Sequence, residues 1–257
     1  MNQTIKAVAS KVPEVTLLFW VLKIVATTLG ETGGDAVSMT MDLGYALASV
    51  IFIGIFLIAV FAQIMAKKFH PILYWVVIVA TTTAGTTMAD FADRSLGIGY
   101  TGGSTILLLL LLLSLGVWYW SEGTIAVETV TKPRVELYYW VTIMFSQTLG
   151  TALGDWTADT QGIGFGGSTL IFGAGLAFLV LLYFTTKVSH VFLFWCAFVL
   201  TRPLGATLGD LLDKPAEHGG MEISRLTASA VLAAFMIACI FIFPQKAGRH
   251  PGETQSS

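Results

Sequence analysis

Charge is scarce in this chain: 12% of its 257 residues are Asp, Glu, Lys or Arg, and they nearly cancel, to a net −2. So small a balance excludes the basic footprint of a nucleic-acid-binding protein. Cysteine is scarcer still. Cys196 and Cys239 stand alone in separate apolar runs, which excludes a disulfide framework. The four histidines, His70, His190, His218 and His250, lie between apolar runs or in the tail, so no zinc or copper site can be assembled inside those runs. Glycine-rich segments are present, but none is followed by the lysine of a phosphate-binding loop, which removes an ATP site. Nothing forms an enzymatic constellation, and no cofactor is expected.

What the chain has instead is hydrocarbon. Hydrophobic residues make up 55% of it and the mean hydropathy is +0.77, values of a polytopic membrane protein. Eight apolar runs are long enough to count as spans: Val15 to Asp35, Leu43 to Ala66, Ile72 to Asp90, Thr105 to Trp120, Leu137 to Asp155, Thr169 to Thr185, Val191 to Asp210 and Leu226 to Phe243. The expectation is an all-α protein with eight transmembrane helices and no soluble domain, residues 1–257 forming a single unit with its tail at 245–257.

The odd runs repeat one pattern. Phe19-Trp20, Tyr74-Trp75, Tyr139-Trp140 and Phe194-Trp195 are each followed ten residues after the Trp by a glycine (Gly30, Gly85, Gly150, Gly205) and fifteen after it by Asp35, Asp90, Asp155 and Asp210. Successive Trp residues are 55, 65 and 55 apart, room for two spanning helices per copy. Four units follow, at about 12–68, 69–132, 133–187 and 188–244, each a motif helix and a plain apolar one that reads as lipid-facing scaffold. An even number of spans per unit makes the repeats parallel, arranged about an axis along the membrane normal.

Basic residues set the orientation. Lys6, Lys11, Lys67, Lys68, Lys132, Arg134, Lys187, Lys246 and Arg249 fall in the tails or after even runs, against Arg94, Lys214 and Arg225 on the opposite side. The positive-inside rule then places both termini in the cytoplasm. Lys6 and Lys11 precede no small-residue cleavage site, so no removable signal peptide is read. Eleven of the sixteen acids lie at the outer ends, a mouth that attracts cations.

On a helix, positions three, seven, eleven and fifteen after each Trp form a slowly drifting stripe. The stripes read Lys23, Thr27, Glu31, Asp35; Ile78, Thr82, Thr86, Asp90; Ile143, Gln147, Thr151, Asp155; and Phe198, Arg202, Ala206, Asp210. A central Asp, Lys or Arg in lipid costs about 2.5–3.5 kcal/mol, so the stripes are expected to face one another about a polar axis. Glu31, Asp35, Asp90, Asp155 and Asp210 are the candidate cation, metal or proton ligands; Thr27, Thr82, Gln147 and Thr151 would add neutral oxygens; Lys23 and Arg202 would be internal counter-charges. Five acids against two bases leave the stripe at −3. Oxygen-only ligands favour hard ions such as magnesium, calcium or manganese, or protons.

Four structural expectations accompany these. The Trp residues read as an aromatic belt at the inner interface, and the glycines as points of close helix packing. Gly33, Gly34 and Pro203 are candidates to interrupt a helix and free carbonyls. In the matching loops Gly97 to Thr105 and Gly162 to Thr169, Ser104 and Ser168 read as N-caps of the even helices.

The string Lys11-Val12-Pro13-Glu14-Val15-Thr16, the four aromatic-Trp pairs and the Gly-x4-Asp endings resemble a family of bacterial multi-pass membrane proteins built from four copies of a repeat of unknown function. That resemblance implies residence in the bacterial inner membrane and supplies no substrate. Gly30-Glu31-Thr32-Gly33-Gly34-Asp35 is also similar, with one residue of altered spacing, to the Glu-x-Gly-Asp signatures of cation exchangers. The resulting expectation is a secondary transporter of a hard divalent cation, coupled to protons through the same carboxylates, with the lipid bilayer, the cation and protons as its partners. A transporter of small organic cations and a non-transport sensor or assembly protein are the alternatives.

Overall fold

The structure, a computed structural model, describes residues 10–160 and 162–248. Lys6, Arg249, His250 and most of the expected tail lie outside the described residues. Eight helices account for nearly everything else: α1 (Leu17–Asp35), α2 (Gly44–Met65), α3 (Pro71–Asp90), α4 (Tyr100–Glu122), α5 (Pro133–Asp155), α6 (Gly164–Thr185), α7 (His190–Asp213) and α8 (Arg225–Ile242). No β-sheet forms among the described residues, apart from one antiparallel bridge between Pro13 and Ala247.

Local chemistry sets several boundaries. The Thr16 side chain caps α1 by accepting from the Phe19 N–H at 3.4 Å. Pro71 and Pro133 open α3 and α5, where a missing N–H costs nothing. Immediately after Asp35, Asp90 and Asp155 the chain widens into five-residue π turns, Ala36–Thr40, Phe91–Ser95 and Trp156–Thr160. After Asp210 no such turn forms; α7 continues to Asp213 and stops just before Pro215.

Helices α4 and α6 start five residues earlier than expected. Helix α4 begins at Tyr100, with Gly99 at its cap position in a positive-φ conformation, so Ser104 lies inside the helix, as does Ser168 in α6. The N-cap reading of both serines is therefore wrong. Their glycine loops are wound into helix because that bonds the backbone internally, and Gly103 and Gly167 leave room for Asp93 and Ile163, which a β-carbon would strike. Nor do Gly33, Gly34 or Pro203 interrupt anything: α1 and α7 run through them.

Helices α1, α3, α5 and α7 pack in a closed ring in that order, α7 returning to α1. Each even helix lies mainly on the odd helix of the following repeat: α2 on α3, α4 on α5, α6 on α7, and α8 on α1. The most apolar stretches of α2, α4, α6 and α8 are only 33%, 22%, 11% and 17% buried, against 72% for α3 and 61% for α7, so the even helices form the outer layer. Six helices, α2, α3, α4, α6, α7 and α8, are long and apolar enough to cross a membrane. The other two, α1 and α5, carry Lys23, Glu31 and Asp35, and Glu136, Gln147 and Asp155, all of which are turned inward and buried. This is the construction of a helical membrane protein.

The aromatic-Trp pairs do not form a lipid-facing belt. Trp75, Trp140 and Trp195 are almost completely buried, and the pairs interlock around the ring, each first ring meeting a neighbouring repeat's Trp. Centroids lie 5.7 Å apart for Phe19 and Trp75, 5.7 Å for Tyr74 and Trp140, 6.3 Å for Tyr139 and Trp195, and 5.6 Å for Phe194 and Trp20. The Tyr74 and Tyr139 hydroxyls share a hydrogen bond of 2.7 Å. Interface preference describes a lone Trp, whereas a ring of inward-facing pairs buries large aromatic areas against one another.

The glycines fix the spacing above this layer, as expected. A β-carbon on Gly30 would collide with Thr82, one on Gly150 with Arg202, one on Gly205 with Thr27, and one on Gly85 would press on the Gln147–Thr148 backbone. Each motif glycine thus receives the next repeat's residue at seven after Trp. Beyond the Trp end, a clasp joins the termini: Glu14 N donates to Lys246 O at 2.9 Å and Gly248 N to Val12 O at 2.8 Å. Lys11 is pinned by Glu136 at 2.6 Å and by the Ile64 carbonyl at the α2 C-terminus, 2.9 Å away.

Candidate functional site

The four stripes meet inside the ring as stacked layers. Lys23, Ile78, Ile143 and Phe198 come first; then Thr27, Thr82, Gln147 and Arg202; then Glu31, Thr86, Thr151 and Ala206; and last Asp35, Asp90, Asp155 and Asp210. All sixteen side chains are buried, the Asp residues at 3% exposure or less. The polar axis read from the sequence is present.

Arg202 is its hub. Its Nη2 donates to Glu31 Oε2 at 2.9 Å, Thr86 Oγ1 at 2.6 Å and Thr151 Oγ1 at 2.5 Å, reaching from the fourth repeat to the first three. Thr86 in turn donates to Glu31 Oε2 at 3.2 Å. Arg202 thus pairs with the Glu31 carboxylate, and the same nitrogen meets the Thr151 hydroxyl. Lys23 differs: its Nζ donates to Gln147 Oε1 at 3.3 Å and lies 4.2 Å from the Phe198 ring centroid, and no described carboxylate pairs with it. Thr27 is spent on structure, placing its hydroxyl against Lys23 O, Ile24 O and Thr201 O at 3.1, 2.8 and 3.2 Å. The Thr82 hydroxyl has no hydrogen-bond partner among the described residues.

At the Asp end the carboxylates divide into two clamped pairs. Lys214 Nζ sits 2.6 Å from Asp35 and 3.1 Å from Asp210, with Arg225 3.7 Å from Asp35 and 3.3 Å from Asp213. Arg94 lies 2.9 Å from Asp90, 3.2 Å from Asp155 and 3.9 Å from Asp159. Burial alone would lower the Lys214 pKa; Asp210, Asp35 and Asp213 more than reverse this and raise it well above the usual lysine value. Sequence reading left Arg94 and Lys214 outside the site. Their signal was the four-residue step from Asp90 and Asp210, one helical turn, which lets each fold back on its own Asp and reach the next repeat's. Counting them, the five stripe acids face four bases and the axis stands at −1 rather than −3. The five candidate carboxylates divide three and two: oxygens of Glu31, Asp35 and Asp210 all lie within 4.8 Å of one another, while Asp90 and Asp155 share Arg94.

A family profile described as Repeat of Unknown Function (DUF347) matches the chain four times, at residues 18–69, 73–124, 138–189 and 193–243. The chain belongs to that family. Each DUF347 copy takes in one motif helix and the apolar helix after it, so in this chain the pattern of Trp, Gly and Asp marks the inward half of each copy. No curated protein and no solved structure matches the chain.

Proposed function

We propose that this protein is a secondary transporter of a hard divalent cation, manganese, magnesium or calcium, whose eight helices all span the bacterial inner membrane with both termini in the cytoplasm. The observation that carries the reading is the convergence of Glu31, Asp35 and Asp210 in a buried, oxygen-only group with Lys214 inserted at its outer edge. Hard cations take carboxylate oxygens, and a tethered ammonium is a natural competitor for the same oxygens. An arriving cation would displace Lys214 toward the loop, and protons would compete for the same group. The aromatic rings pack on one another rather than on an open cleft, which favours a metal ion over an organic cation.

Lys214→Ala separates transport from a purely structural network. With the competitor gone, the variant should bind manganese about tenfold more tightly, read as a lower manganese concentration for half-maximal thermal stabilisation of purified protein. Asp35→Asn with Asp210→Asn should remove the manganese response. A native protein and a Lys214→Ala variant both indifferent to manganese, magnesium and calcium would sink the transport reading in favour of a sensor or scaffold.

Topology has its own check. Lys68, Lys132 and Thr101 are exposed. Single cysteines placed there should be labelled by an impermeant reagent only from the cytoplasm at the first two positions and only from outside at Thr101. Labelling of position 68 from outside would reverse the orientation.

A further inference from the structure

The layer beneath Glu31 holds hydrogen-bond donors that meet no acceptor. Arg202 uses only Nη2; its Nε and Nη1 have no partner, nor does Gln147 Nε2 or the Thr82 hydroxyl, and all three side chains are fully buried. Lys23 reaches this level with a single hydrogen bond, to Gln147 Oε1, and no salt bridge among the described residues. The Phe198 ring, its centroid 4.2 Å from Lys23 Nζ, is the other contact of this ammonium, while Glu31 is the one described carboxylate bonded at this level, and Arg202 holds it. With Lys23 protonated, the level carries one positive charge in excess. Donors in surplus beside an uncompensated buried cation are the chemistry of an anion site.

We propose that Lys23, Thr82, Gln147 and Arg202 form a site for a small monovalent anion of the halide or nitrate class. Its charge balances the layer, and its lone pairs accept from the orphaned donors. Water satisfies the donors but leaves the charge uncompensated. Size follows from the packing: Gly30, Gly85 and Gly150 bring neighbouring helices hard against Thr82, Gln147 and Arg202, which confines any guest to a few atoms. The hydrogen-bonded group of Arg202, Glu31, Thr86 and Thr151 lies on the Asp side of this layer, and the interlocked aromatics lie on the Trp side. The site uses neither Asp35 nor Asp210, so it stands whether or not the outer carboxylates take a metal.

The test compares full-length detergent-purified protein melted in sodium nitrate, sodium chloride and sodium gluconate at matched ionic strength. Nitrate and chloride should raise the melting midpoint in a saturable way over gluconate, which is too large to enter. Lys23→Met should abolish that response and, in gluconate, melt no lower than the native protein, because the unbalanced buried cation is gone. Gln147→Leu should keep the fold and weaken the apparent nitrate affinity about tenfold. Equal midpoints of the native protein in all three salts overturn the site. So does an undiminished nitrate response in Lys23→Met or, should that variant fail to fold, an unchanged nitrate affinity in Gln147→Leu.

Discussion

Arg202→Met should cost the protein about 3–5 kcal/mol, because it removes one partner of a fully buried ion pair and leaves the other in place. Arg202 and Glu31 are 0% and 3% exposed at their side chains, with no solvent to take over from the lost guanidinium. The same nitrogen also holds Thr86 and Thr151, so one substitution loosens contacts between the fourth repeat and each of the others. Changing Glu31 to Gln in the Arg202→Met background should recover most of the loss, since a neutral amide needs no counter-charge. Arg202→Lys should recover only part of the loss: its ammonium keeps the charge and three donors, but its stem is one bond too short to reach the place of Nη2. Melting of the single and double variants in detergent provides the comparison. Equal stability of Arg202→Met with and without Glu31→Gln would show that the pair is not the ring's central tie.

Gly205→Ala should destabilise by about 1–3 kcal/mol, the range for forcing a methyl group into a filled interior. Its β-carbon would strike the Thr27 side chain and come within 2.9 Å of the Thr27 backbone carbon. Thr27 cannot swing aside cheaply, because its hydroxyl lies against Lys23 O, Ile24 O and Thr201 O. Gly173→Ala is the control. Nothing lies within 4 Å of its would-be β-carbon, so the better helix former should be neutral or gain about 0.5–1 kcal/mol. Similar melting shifts for the two variants would mean that the motif glycines do not set the helix spacing.

Sequence periodicity made the inward stripe legible, since polar residues at four-residue steps in an apolar body have one affordable direction to face. It also made the even helices legible as outer scaffold. The aromatic pairs were misread because a preference measured for isolated Trp residues was applied to a residue that always follows another ring. In the ring that neighbour is the information: it meets a neighbouring repeat's Trp. The serines were misread for a related reason. A Ser before an apolar run looks like a cap only if the glycines before it are loop, and here they are helix. The clamps were hidden by a topological assumption: Arg94 and Lys214 sit past the apolar runs, and counting them as loop charges overlooked that a long side chain four residues beyond an Asp points back along the helix. Which carboxylates would converge was not legible at all. It depends on which odd helices are neighbours, and that order is set by packing between repeats rather than within one.

That order also dictates when the molecule can be finished. As the chain is made, α1 emerges first, yet Arg202, Lys214 and α8, which neutralise and cover it, come from the last repeat. On the proposed eight-span topology, a helix bearing Lys23, Glu31 and Asp35 would wait in lipid until they arrive, at about 2.5–3.5 kcal/mol for each central charge. The first helix is thus the least comfortable piece of the nascent chain and the last to be sealed. Its release from that state comes only with the closing of the circle, which gives a late-arriving helix the decisive vote on whether the early ones keep their place.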